Sequence, residues 1–313
     1  MQATAVSVIN LVKRYRELIA LDYFNMNIRQ GEILGLLGPN GCGKTTAMNC
    51  MLSLLRYDRG EILIFGEEMR PDSYGLKRRI GVVPQEVSVL GNLTVYENID
   101  YFCGLYVEEK NLRKQMVEEA IDFVGLSEYR KFFPKKLSGG LKRRLNIACG
   151  IAHRPELIFL DEPTVAVDAQ SRNFILEGIK KLQEKGSTIL YTTHYLEEVE
   201  QICDRIVIMD KGRNIAEGSK EELVEMMGVN EKVVVDFVRI SEAQIKELSD
   251  LPYIAAVSRR DEEYVIEFAK GRSPLAQLFH WFEENELSCG RLYTQTPSLN
   301  DVFLSLTGKE LRD

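Results

Sequence analysis

Eight residues, Gly38-Pro-Asn-Gly-Cys-Gly-Lys-Thr45, fit the spacing G-x-x-x-x-G-K-[ST], and each fixed position answers a chemical need. Glycine lets backbone N–H groups converge on phosphate oxygens with no Cβ in the way. The Lys44 ammonium is a compact charge for the β- and γ-phosphates, and the Thr45 hydroxyl is a ligand for Mg²⁺. A helix that starts near Lys44 aims its positive dipole end at the same anion. Gly38, Pro39, Asn40, Gly41, Cys42, Gly43, Lys44, Thr45 and Thr46 are therefore expected to cradle the phosphates of a nucleoside triphosphate. Cys42 is read as a filler of space; a reactive thiol there would let alkylation block the site.

A second constellation is the apolar run Leu157-Ile-Phe-Leu160 that ends in Asp161-Glu162. Acids at the carboxyl end of a buried strand lie where ligands bind in open α/β sheets. Asp161 would hold Mg²⁺ directly or through water, and Glu162 would polarise an attacking water as general base. A third is Ser138-Gly139-Gly140 at a helix start, a further anion site or simply an N-capping turn. Taken singly, Tyr15 reads as a surface aromatic, Gln85 as a turn residue and His194 as a structural histidine.

The elements that position these groups follow from periodicity. Strands are expected at Val6–Ile9, Phe24–Ile28, Glu32–Leu37, Ile62–Phe65, Ile80–Val83, Leu157–Leu160, Thr188–Thr192 and Arg205–Met209. Helical spacing follows the glycine loop over Ala47–Leu55 and recurs at Ala169–Glu184 and Tyr195–Cys203. It also dominates from Leu93 to Ala152, with a break at Phe133-Pro134. Strands that alternate with helices imply an α/β fold with a mainly parallel sheet covered on both faces. After Gly228 the order becomes β-α-β-β-α-β, which suggests a small ferredoxin-like α+β domain. Its expected elements are the strands Lys232–Phe237, Ile254–Ser258, Tyr264–Phe268 and Gly290–Thr294 and the helices Ser241–Leu248, Ser273–Glu286 and Ser298–Thr307. His280, Trp281 and Phe282 on the second of these helices are read as core packing.

Composition narrows the function classes. The 313 residues are 45% hydrophobic and 28% charged, which is ordinary for a globular protein, with a net charge of −7. That acidity argues against a nucleic-acid partner. Cys42, Cys50, Cys103, Cys149, Cys203 and Cys289 are scattered without a C-x-x-C pair, so neither a cysteine-ligated metal site nor a disulfide framework is expected. No apolar run approaches the ~18–20 residues that span a bilayer, and no signal peptide is evident, so the chain is expected to be soluble when isolated.

In order along the chain, these motifs resemble those of the ABC ATPases, the nucleotide-binding subunits of ABC transporters, over about residues 5–225. Leu137-Ser-Gly-Gly-Leu141 is similar to the signature motif, Gln85 to the Q-loop glutamine and Leu157–Pro163 to the Walker B strand. Asp168 is similar to the D-loop aspartate and His194 to the switch histidine, and Tyr15 lies where an aromatic stacks on adenine. The resemblance implies a P-loop NTPase of ABC type over residues 1–228, with a helical subdomain at about 88–152 and an accessory domain over 229–313. It implies ATP and Mg²⁺ as cofactors, with Thr45, Gln85 and Asp161 around the metal and Glu162, His194, Lys44 and Gln85 in catalysis. It implies as partners a second copy, whose Ser138, Gly139 and Gly140 would meet the γ-phosphate, and an integral membrane permease. A coupling helix of that permease would be received near Val87–Tyr106, with the chain peripheral on the cytoplasmic face of the membrane.

Glu162–Arg172, Thr192–Glu200 and Pro297-Ser-Leu-Asn-Asp-Val-Phe303 further resemble the bacterial branch that exports drugs, sodium or polysaccharides. Two departures bear on the dimer interface: Leu141 replaces the usual glutamine, and Val165-Ala-Val-Asp168 replaces Ser-Gly-Leu-Asp. The alternatives are a non-transport ABC ATPase of translation or DNA repair, which usually carries tandem cassettes or basic arms, and a regulatory module without catalysis. Glu162 and His194 together argue against the latter.

Overall fold

The computed structural model describes residues 3–227, 232–260, 263–269, 275–295 and 298–307; Gly228, Ser273 and Pro297 lie outside them. The chain forms two compact units that divide between Ser219 and Lys220 rather than at Gly228. None of the described helices is long and apolar enough to cross a membrane.

The first unit runs β1 (Thr4–Tyr15), β2 (Leu18–Arg29), β3 (Ile33–Leu37), α1 (Lys44–Met51), β4 (Arg59–Ile64), β5 (Glu67–Glu68), α2 (Tyr74–Lys77) and β6 (Ile80–Val83). It continues through α3 (Val95–Gly104), α4 (Lys110–Phe123), α5 (Gly139–Ile151), β7 (Leu157–Asp161) and α6 (Ala169–Glu184). It ends with β8 (Thr188–Thr193), α7 (Leu196–Ile202), β9 (Arg205–Asp210) and β10 (Arg213–Gly218). The strands make two sheets, of orders β2-β1-β4-β5 and β10-β9-β3-β8-β7-β6. In the larger sheet β9, β3, β8, β7 and β6 are parallel, and β10 adds an antiparallel edge. The carboxyl ends of β6, β7, β8 and β3 therefore meet along one edge, which brings Gln85, Asp161-Glu162, His194 and Gly38 together from distant sequence.

The parallel strands read as continuous apolar runs because both faces are covered. Their alternation is still visible in what they pack against. Leu34, Leu36, Leu157, Phe159 and Leu190 join the core shared with the antiparallel sheet and α1. Ile33, Ile158, Leu160, Ile189 and Tyr191 join the core under α3–α6. Each fully buried Leu or Ile in these layers contributes roughly 1.5–3 kcal/mol.

The separate antiparallel sheet is not foreseen by the sequence. Strands are expected at Val6–Ile9 and Phe24–Ile28, but β1 and β2 are 12 residues each; register shifts interrupt their pairing, among other places after Val8 and Leu11, and those bulges hide the strands' full length. β10 also escapes the periodicity; its residues are mostly half-buried and carry no apolar run.

The second unit opens with α8 (Lys220–Met227), which packs against α11 (Leu299–Thr307). Between them lie β11 (Lys232–Phe237), α9 (Glu242–Ser249), β12 (Ile254–Arg260), β13 (Glu263–Phe268), α10 (Leu275–Glu284) and β14 (Cys289–Gln295). The sheet order β12-β13-β11-β14, antiparallel at every pairing, is the ferredoxin-like arrangement of the βαββαβ pattern. Trp281 and Phe282 enter its core. His280 does not: it is exposed, with Nε2 3.2 Å from Glu284 Oε1. Successive helix residues point about 100° apart, so three in a row cannot all face one core.

Candidate functional site

The loop between β3 and α1 closes on its own lysine. Lys44 Nζ donates to the carbonyls of Gly38 at 2.8 Å and Pro39 at 3.3 Å, and lies 3.3 Å from Glu162 Oε1. A Cβ at Gly38 would stand 2.3 Å from the Met209 carbonyl oxygen, so only glycine lets the loop leave β3 beside β9. The β9–β10 turn supports the loop from outside: Gly212 N–H donates to the Cys42 carbonyl at 2.8 Å.

Asp161 and Glu162 take different surroundings although they are neighbours. Asp161 Oδ2 accepts from Thr45 Oγ1 at 3.0 Å and Oδ1 from Thr192 Oγ1 at 2.6 Å. A carboxylate beside a hydroxyl offers hard oxygen ligands, which suits Mg²⁺ that keeps several waters and phosphate oxygens. Among the described residues there is no cluster of three or more His, Cys, Asp or Glu that would cage a metal by itself.

Glu162 adopts φ 44°, a left-handed conformation that costs a residue with a side chain about 1–2 kcal/mol. Two hydrogen bonds hold it there, from its N–H to the Thr192 hydroxyl at 3.0 Å and to the Thr192 carbonyl at 3.1 Å. The turn swings the carboxylate off the strand axis into a ring of donors. Gln85 Nε2 donates to Oε2 at 3.0 Å, and His194 Nδ1 faces Oε1 at 3.2 Å beside Lys44. An ionised carboxylate only accepts, so this pairing places a proton on Nδ1 of His194.

A cavity of about 570 Å³ opens over the loop, lined by Asn40–Thr46, Gln85 and Glu162 with Tyr15 at its rim. That volume suits a nucleotide. Leu18, Ile19, Ala20, Lys211 and Gly212 also line it, and sequence reasoning does not find them. Their signals are weak: a two-residue hairpin after Tyr15, and a Lys-Gly turn after the apolar strand β9.

Ser138, Gly139, Gly140 and Asp168 stand apart from that cavity within the chain. Ser138 caps α5 by accepting from Leu141 N–H at 3.3 Å, so it serves as an N-cap; Gly139 beside it is exposed, while Gly140 is buried. Asp168 caps α6 through Ser171, and these bonds hold its carboxyl below the usual carboxylate range. A Cβ on Gly140 would lie 2.3 Å from Ser171 Oγ, so the two turns pack closely. Ala166 sits at φ 59°, a strained setting for alanine where the resemblance leads one to expect glycine.

Cys42 is buried, and burial pushes its thiol up from the ordinary value. A thiol reagent on the folded protein is therefore expected to modify exposed Cys289 at least about tenfold faster than Cys42, because the thiolate reacts. Time-resolved mass mapping checks this; equal rates would contradict the buried setting of Cys42.

Residues 21–165 match the family model described as ABC transporter. The linearmycin resistance ATP-binding protein LnrL of Bacillus subtilis is 36% identical over 97% of this chain and 98% of its own length. The daunorubicin/doxorubicin resistance ATP-binding protein DrrA of Streptomyces peucetius is 35% identical over 99% of this chain and 94% of its own. The Nod factor export ATP-binding protein I of Ralstonia nicotianae is 35% identical over 98% and 95%. Among solved structures, an ATP-binding subunit of an ABC transporter superposes with TM-score 0.66 at 26% identity, covering 72% of this chain and 93% of its own. The dimeric structure of the bacterial ABC transporter cassette MJ0796 gives 0.63 at 28%, covering 68% and 98%.

Proposed function

Because the chain belongs to the ABC transporter ATP-binding family, we propose that it is the Mg²⁺-dependent ATP-hydrolysing motor of an exporter. Two copies would work on a separate integral membrane permease, at the cytoplasmic face of the membrane. The observation that carries this reading is the convergence of Lys44, His194 and Gln85 on the Glu162 carboxylate.

Lys44 and the loop amides bind the β- and γ-phosphates. Thr45 and Asp161 would hold Mg²⁺, with Gln85 as a further contact, and the ion would neutralise charge on the phosphate oxygens. Glu162 takes the proton of the attacking water, and His194, its Nδ1 fixed by Glu162, turns Nε2 toward the γ-phosphate. Tyr15 carries the base. The Ser138–Gly140 turn lies outside its own chain's cavity lining, which supports a sandwich in which a second copy's Ser138, Gly139 and Gly140 close over the γ-phosphate, with Asp168 at the seam. Export is supported by the relatives' names, two of resistance and one of export. Val87, Leu90, Tyr101 and Leu105, in the segment that follows Gln85, are exposed, which supports a place for a permease helix there.

Turnover per chain is expected to fall in proportion to concentration once the protein is diluted below the dimer's dissociation constant. Steady-state phosphate release over a dilution series measures it, and a constant turnover per chain would overturn the sandwich. Affinity capture from detergent-solubilised membranes tests the transport half: a hydrophobic multi-span partner is expected, and ribosomal proteins in its place would favour the translation alternative.

A further inference from the structure

The segment after β6 carries Gln85, and the helical layer holds it by side chains that the proposed chemistry does not use. Arg143 and Asn146 lie on one face of α5, three residues apart, and both are buried. Arg143 Nη1 donates to the Pro84 carbonyl at 3.1 Å, and Asn146 Nδ2 donates to the same oxygen at 3.2 Å. Asn146 Oδ1 then accepts from Ser88 N–H at 3.0 Å. Farther along, Asn98 of α3 accepts from Leu90 N–H at 2.7 Å and donates to the Leu90, Leu93 and Thr94 carbonyls.

Two features make this more than packing. Pro84 offers a carbonyl and no N–H, and two buried cationic or amide donors are spent on that one oxygen. The next residue is Gln85, whose amide holds Glu162 at 3.0 Å. Burying an arginine is costly unless its charge is met; burial weakens the Arg143 charge, while Asp161 and Glu162 favour it. At the N-terminus of the same helix, Ser138 caps α5 five residues before Arg143.

We propose that Arg143 and Asn146 are positioning residues that join the Ser138 turn to the Glu162 carboxylate of the same chain, through the Pro84 carbonyl and Gln85. The proposal rests on the sandwich reading for its consequence. The partner's nucleotide meets Ser138, and a shift of α5 as a rigid rod moves Pro84, Gln85 and hence the general base of this chain's own site. Each site thereby sets the geometry of the other, a coupling between two distinct sites through contiguous contacts.

The test uses the full chain with Arg143→Met and Asn146→Ala, Arg143→Lys as the conservative rescue, and each change repeated in a Gln85→Ala background. ATP turnover, KM, the Hill coefficient and thermal melting are measured for all. Loss of a hydrogen bond that positions a catalytic group is expected to lower kcat about tenfold and the Hill coefficient toward 1, with KM within about twofold. Arg143→Lys, which still donates to Pro84, recovers most of kcat. In the Gln85→Ala background neither change lowers kcat further, because groups on one pathway are not additive. An equal fall in both backgrounds, or an unchanged kcat and Hill coefficient, overturns the relay. If Arg143→Met does not fold, Asn146→Ala decides between the same outcomes. ATP-dependent dimerisation of the Glu162→Gln chain is followed by light scattering in parallel: its absence sinks the sandwich, while the Gln85 comparison still decides the relay.

Discussion

Replacing Glu162 by glutamine is expected to lower ATP turnover by a factor of about 10²–10⁴, the usual worth of a positioned general base, while ATP still binds. The amide has nearly the shape of the carboxylate, so the left-handed turn at Glu162 and its bonds to Thr192 remain. The ability to take a proton is lost, together with one of the two oxygens that accept in the ring of donors. Removing a negative charge that sits 3.3 Å from Lys44 also frees that cation for phosphate and removes repulsion with the γ-phosphate. The ATP-loaded pair of chains should therefore persist in the variant and fall apart in the wild type as hydrolysis proceeds. Phosphate release and light scattering in the presence of ATP measure the two effects. Turnover equal to wild type would remove Glu162 from the role of base.

Replacing Lys44 by alanine should act at the earlier step. Its ammonium is the cation that reaches both the loop carbonyls and the catalytic acid. Without it the phosphates lose a charge-assisted contact, and Glu162, which is buried, loses a neutralising partner. ATP affinity should fall about 100-fold, equivalent to about 3 kcal/mol. Calorimetric titration with ATP measures this, and a dissociation constant within about twofold of wild type would show that the loop binds through its amides alone. Together the two variants separate binding from chemistry: one keeps ATP without turnover, the other loses both.

Much of this site is legible in the sequence because residue type and local spacing carry it. Gly38–Thr45 is expected to lie between a strand and a helix, and β3 and α1 flank it so. Asp161-Glu162 at the end of Leu157–Leu160 falls at the ligand edge of a parallel sheet for the same reason. What spacing cannot show is the side-to-side order of strands, and that order brings Gln85 and His194 to Glu162 from either side of β7. The left-handed turn at Glu162 is equally hidden, since nothing in the residue type announces it. Leu18 and Ile19 escape notice because they sit on a bulged hairpin whose alternation is broken, and Arg143 because nothing in local spacing shows that it reaches the Pro84 carbonyl. In the second unit the periodicity is strong enough to place every described strand; it misses α8, and it misreads His280, where residue type is read without its angle on the helix.

One end of the cavity has a consequence for what the protein can burn. Tyr15, Leu18, Ile19 and Ala20 form that wall, and the phenol oxygen is its single polar side-chain atom. Lys13 Nζ lies 5.0 Å over one side of the Tyr15 ring, which leaves the other side for a flat partner. Stacking on an aromatic is worth roughly 1–3 kcal/mol and discriminates little among bases. A nucleotide held this way is recognised as a ring with a triphosphate, not by the letters at its edge. Selection among nucleoside triphosphates would then follow their concentrations rather than contacts to the edge of the base.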